Sequence, residues 1–147
     1  MATRFEVSHG FGRAERVLVR LPLDADTANV KVGHAITSAD ATAGFYKVVD
    51  ASGEAIVGIA VEESDSPSND GDNTVLVDIS QDTYYRVEPD TGSVTTALRF
   101  STADVGADGG SVNIDASATD NIKIHDVDIN RNEMIVTVVT AAYTGVA

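Results

Sequence analysis

Residues 121–139 read NIKIHDVDINRNEMIVTVV, and this stretch decides the fold class. Met134, Val136 and Val138 fall on one parity, and Ile135, Thr137 and Val139 on the other, which is the period of a β-strand. Just before it, Ile122 and Ile124 share one face while Val127 and Ile129 fall on the opposite parity. One strand cannot bury both sets without a shift of register, so a bulge or bend is expected near His125 and Asp126. No stretch of the chain keeps an apolar face at helical spacing over any length. The strongest strand signal of the chain is thus residues 134–139.

Working outward from there, the same period recurs. Val17, Val19 and Leu21 alternate with Arg16, Leu18 and Arg20, up to Pro22. Residues 30–32 read as a short strand stopped at Gly33, and residues 38–44 as a turn. Residues 45–49 form a strand, and Asp50-Ala51-Ser52-Gly53 has the turn chemistry for a hairpin into residues 55–61. That next segment is nearly all apolar, as in a strand buried on both faces. Gly58 at its centre predicts a bulge or a close backbone approach. Val75, Val77 and Ile79 alternate again, Tyr84 to Val87 form a strand ended by Pro89-Asp90-Thr91-Gly92, and a weaker strand is read over 97–100. Residues 106–110, GADGG, connect to a strand over 111–114. About ten short strands between turn signals predict an all-β barrel or sandwich in one domain over residues 16–147, preceded by an extended N-terminal arm over residues 1–15.

Composition narrows the chemistry. The chain of 147 residues has no cysteine, which excludes disulfides, a cysteine nucleophile and thiolate metal sites. It has no tryptophan, and 23 acidic residues against 10 basic ones give a net charge of -13. Such a surface repels phosphate backbones, so no nucleic-acid partner is expected. No apolar run approaches the roughly 20 residues of a membrane-spanning helix, and no membrane association is expected. The charge is unevenly placed: residues 1–20 carry four arginines and two glutamates, a net of +2, and the remainder a net of -15. A basic end on an acidic body suits an acidic neighbour.

The three histidines, His9, His34 and His125, lack partners at metal-ligand spacing. Asp65, Asp70 and Asp72 lie in one oxygen-rich loop, but without the length or terminal glutamate of an EF-hand. They are read as solvated charges, as are Asp126 and Asp128. His125 and Asp126, as neighbours in a strand, are expected to point apart, and Tyr84 and Tyr85 to divide between surface and core. The glycine-rich loop at 106–110 carries no lysine and leads into a strand, unlike a phosphate cradle. There is no G-x-S-x-G elbow. Neither an enzyme nor a metal or cofactor is expected.

The run GEAIVGIAV over 53–61, a polar loop, TVLV over 74–77 and TYYRV over 83–87 resemble the pattern of small bacteriophage head decoration (capsid cement) proteins. The stretch NIKIHDVD over 121–128, followed by MIVTV over 134–138, is similar to the same family. The resemblance covers residues 30–140. It implies a β-tulip-like barrel, usually a homotrimer at local three-fold positions on the outer surface of the virion, with the major capsid protein as partner. On that reading the basic arm attaches. Arg4, Arg13 and Arg16 supply charge, Phe5 and Phe11 are apolar anchors, and Phe5-Glu6-Val7 adds as a strand to a neighbour's sheet edge. Deleting residues 2–13 is then expected to weaken attachment more than folding. The competing classes are another phage structural module, such as a tail or spike component, and a small ligand-binding β-barrel.

Overall fold

The structure is a computed structural model that describes residues 5–7, 16–39 and 43–140. These residues form an all-β domain of strands β1 (Glu6–Val7), β2 (Leu18–Pro22), β3 (Ala35–Ser38), β4 (Tyr46–Val48), β5 (Gly58–Ala60) and β6 (Thr74–Asp78) in the first half. The second half adds β7 (Tyr85–Val87), β8 (Thr102–Val105), β9 (Val112–Asn113), β10 (Ile122–Asp128) and β11 (Glu133–Val138). Among the described residues the helical element is a single 3-10 turn, Thr96–Leu98. Two antiparallel sheets result, one in the order β1-β7-β11-β10-β8-β9 and the other β2-β6-β5-β3-β4, and one of the two curls into a half-barrel.

The main core lies between the sheets. Met134, Val136 and Val138 of β11 and Ile122 and Ile124 of β10 meet Ala35 and Ile59 of the second sheet. The second sheet is covered on its other face too, where Ile36, Ala60, Val75 and Val77 pack under Leu23 and Val30. Burial on both faces is why residues 55–61 carry an almost unbroken apolar run.

Pairing of β10 with β11 shifts register between Ile124 and Asp126, the place where the two parities of the sequence collide. Gly58 is the close approach expected of it: a Cβ there would stand 2.6 Å from the Asp78 carbonyl oxygen and 3.2 Å from Ile79 Cγ2. Gly58→Ala is expected to cost about 1–3 kcal/mol, because β5 must move away from β6 to admit one methyl group. A lowered urea midpoint with an unchanged slope would register it.

Several local expectations differ from the structure. The turn at residues 50–53 forms, with Gly53 at φ 77°, but it does not close a hairpin. β4 and β5 both pair with β3, which lies between them. β3 itself spans part of the segment read as a turn, and residues 30–32 make one bridge, Val30 with Ser64, before the chain turns at Gly33 with φ 89°. Residues 97–100 are not a strand. Leu98 tucks onto the core, its N–H bonded to the Thr95 carbonyl, and Phe100 takes φ 67° with its side chain 82% exposed. The strand starts two residues later, at β8.

Candidate functional site

The N-terminal segment was expected to carry function, and residues 5–7 are built into the domain. Phe5 is 2% exposed and meets the Tyr85 ring edge-on, with centroids 5.9 Å apart and planes at 83°. Its N–H donates to the Gly33 carbonyl at 2.9 Å. Glu6 and Val7 follow as β1, paired with Arg86 and Tyr85 at the edge of the chain's own sheet. Phe5 is thus committed to this chain's core, and the strand addition expected on a neighbour is made at home. Burying a phenylalanine is worth more to an isolated domain than leaving it in water, about 1.5–3 kcal/mol. Val7 is half-buried against the same core. A cavity of about 460 Å³ opens beside this strand, lined by Phe5, Val7, Arg16, Val32, Tyr85 and Arg86 among others.

Arg16 resumes the described chain, and it too is tied down. Its Nε donates to Asp78 Oδ2 at 3.0 Å. The Asp78 side chain is fully buried whereas that of Arg16 is 37% exposed, so this is a surface cation reaching down to an internal anion. The same Oδ2 accepts from the hydroxyls of Thr83 at 2.8 Å and Tyr85 at 2.9 Å, and Oδ1 accepts from the Ser80 N–H at 2.9 Å. Every donor here has its acceptor, which is what makes a buried carboxylate tolerable. Burial first, then the Asp78 charge, pushes the Tyr85 hydroxyl far above its ordinary pKa. It is a fixed donor at neutral pH. Asp78 thereby joins β6 of one sheet to Tyr85 in β7 of the other and to Arg16 ahead of β2.

Arg4, Phe11 and Arg13, the remaining residues expected to attach, lie outside the described residues, as does His9. His34 Nδ1 accepts from the Lys31 N–H at 3.1 Å and so closes a turn. His125 sits edge-on to Tyr84 at 5.1 Å and hydrogen-bonds through Nε2 with Thr137 Oγ1 at 2.8 Å. Burial, then the Lys123 charge, lowers its pKa. Asp126 accepts from the Val127 N–H and from Arg99 Nε, both at 2.9 Å, which hold its carboxyl below the usual range. The register shift between Ile124 and Asp126 breaks the alternation and leaves both neighbours on one face, His125 bonded to Thr137 and Asp126 opposite Ile135, so they do not point apart as expected. Tyr85 is buried and Tyr84 half-buried, the division expected of them.

Two aspartates of residues 64–73 accept hydrogen bonds from the protein itself. Asp70 accepts from the Ala25 N–H and Asp72 from the Asn69 amide. Among the described residues no group of three or more His, Asp or Glu is placed to hold a metal. No described helix is long and apolar enough to cross a membrane. A second buried aspartate, Asp104, accepts from the N–H groups of Ala118, Thr119 and Asp120 at 2.8–3.2 Å and so shapes the loop before β10. Neither Asp78 nor Asp104 stands out in the sequence, because an aspartate in a strand looks the same whether its partners are water or residues far along the chain.

The sheet margins differ in how they are finished. Outside β9, the Val112 N–H donates to the Glu88 carbonyl and the Asp90 N–H to the Val112 carbonyl. Outside β4, the Asp24 N–H donates to the Tyr46 carbonyl and the Val48 N–H to Thr27 Oγ1. β2 has no such cover among the described residues. The Ile79 N–H donates to the Val17 carbonyl and the Leu23 N–H to the Asn73 carbonyl, so Val17, Val19 and Leu21 aim their peptide groups at β6. By alternation those of Leu18 and Arg20 point away from the sheet. Arg20 is held by Glu62, Nη1 to Oε1 at 2.7 Å.

Fold and anchoring cluster together define an acidic all-β domain with its N-terminal strand built in. No family model, no curated protein and no solved structure matches the chain.

Proposed function

We propose that this protein is a virion structural protein that binds the outside of an icosahedral phage capsid and stabilises it as a decoration protein. Its partner is the major capsid protein, and it carries out no catalysis. Three copies around a local three-fold position is the assembly that the resemblance implies. The observation that carries the reading is the division of charge together with the way residues 8–15 are flanked. Phe5 and β1 fix the chain before them, and Arg16 on Asp78 fixes it after them. A pull on Phe11 or Arg13 is therefore carried into folded core at both ends. The net -15 of the rest of the chain faces away from packaged DNA without affinity for it. Weak contacts repeated over a lattice add up by avidity.

The test is co-sedimentation with expanded, DNA-free heads assembled from the capsid protein encoded beside this chain. Wild type is expected to bind. The double variant Arg4→Glu/Arg13→Glu, which leaves Phe5 and Arg16 in place, is expected to lose at least about tenfold in affinity while keeping its circular dichroism. Failure of wild type to bind such heads overturns the function. Full binding by the double variant overturns the residue assignment.

A further inference from the structure

β2 is a strand of five residues whose outer margin is uncovered among the described residues, with Leu18 and Arg20 exposed and the other three half-buried. Val17 is 42% and Leu18 44% exposed, beside Arg16 and Arg20. An uncovered edge is a template on which another strand can pair. Between Arg16 and Leu23 there is no acidic residue, on a chain of net charge -13. Two copies of so acidic a molecule repel one another over most of their surface, and this edge is a place where they meet without carboxylates face to face.

The pattern of charges along β2 also selects a register. Only Leu18 and Arg20 offer both N–H and C=O outward, since Pro22 has no N–H. If the edge met a second copy with Arg20 opposite Arg20, two guanidinium groups would face each other. If Leu18 met Leu18, Arg16 would face Arg20 twice. Like charges directly opposite are destabilising. The remaining in-phase register sets Leu18 opposite the second copy's Arg20 and centres on Val19. It also puts Val17 against the second copy's Leu21, so apolar meets apolar on one face. On the other face Arg20 stays with its own Glu62.

We propose that β2 is a self-association edge, along which two copies of this chain pair antiparallel with Val19 meeting the second copy's Val19 on a two-fold axis. The two five-stranded sheets then run on as one. A ring of three would need two different patches that fit each other, whereas this edge fits itself. The pairing does not depend on capsid binding, and it stands in place of the three-copy assembly that the resemblance implies.

The chain has no cysteine, so single cysteines report the register directly. Val19 would lie in a non-hydrogen-bonded pair across the axis, with Cα atoms about 4.5 Å apart, within disulfide range. Val19→Cys is expected to form a disulfide-linked dimer under mild oxidation at least about tenfold faster than Leu18→Cys, which faces arginine. By sedimentation equilibrium, wild type is expected to show twice the chain mass of 15.3 kDa. Leu18→Pro, which removes an outward N–H and no internal ladder bond, is expected to run as a single chain with its melting transition intact. If Leu18→Pro fails to fold, the wild-type mass and the cysteine pair decide. A wild-type mass of one chain or of three, or equal rates for the two cysteine variants, overturns the proposal.

Discussion

Asp78→Ala is expected to lower the free energy of unfolding by about 2–6 kcal/mol, the scale of orphaning two buried hydroxyl donors. The cost does not come chiefly from the Arg16 ion pair, because that guanidinium is 37% exposed and regains water when released. It comes from the Tyr85 and Thr83 hydroxyls, which are buried and have Oδ2 as their acceptor. Each donor orphaned in that position costs about 1–3 kcal/mol. A domain whose whole stability is about 5–15 kcal/mol would be brought near the edge of folding. Arg16→Ala should cost far less, since Asp78 keeps three of its partners. Urea unfolding followed by circular dichroism gives both numbers. Equal effects of the two substitutions would mean that the surface ion pair, and not the buried hydroxyls, dominates.

Phe5→Ala is expected to cost about 3–5 kcal/mol, as for a buried phenylalanine whose site cannot collapse. The ring stands edge-on to Tyr85, and its backbone is held by Gly33, so removal opens a void beside an existing cavity. The expectation that deleting residues 2–13 weakens attachment more than folding is revised for the same reason, because that deletion takes Phe5 and β1 with it. A drop of several degrees in melting temperature for Phe5→Ala checks the point, and an unchanged melt would place Phe5 outside the cooperative unit.

What the sequence discloses about this fold depends on whether the cause is local. β10 and β11 are legible because one face of each is buried and the other is not, so parity survives in the residues, including the shift at Asp126. Gly58 is legible because only a missing side chain lets β5 lie so near β6. The turn at 50–53 is legible as a turn, yet its hairpin is not formed, because strand partners are chosen by the sheet as a whole and β3 took the place between β4 and β5. β3 itself is hidden: Ala35, Ile36 and Thr37 are all buried, which erases alternation. The candidate site is legible in type but not in place. A basic, phenylalanine-bearing N-terminus looks like an arm, and nothing nearby in sequence says that Phe5 has a slot next to Tyr85. The role of Asp78 needs Arg16, Thr83 and Tyr85 at once, and only folding brings Arg16 to the other two.

The order of strands also sets a timetable for synthesis. β11 lies between β7 and β10, so the six-stranded sheet has no centre until residue 138 has left the ribosome. β1 and β7 can pair earlier, but a two-stranded ribbon is marginal by itself in water. The sheet from β2 to β6 is complete by Asp78 and can form first. For the time it takes to add β8 to β11, the nascent chain carries one finished sheet with its Ile59 and Ala35 face uncovered. Crowded polysomes are therefore where this protein is most exposed to misassembly, and slowing translation after Val87 should raise the fraction lost to aggregates.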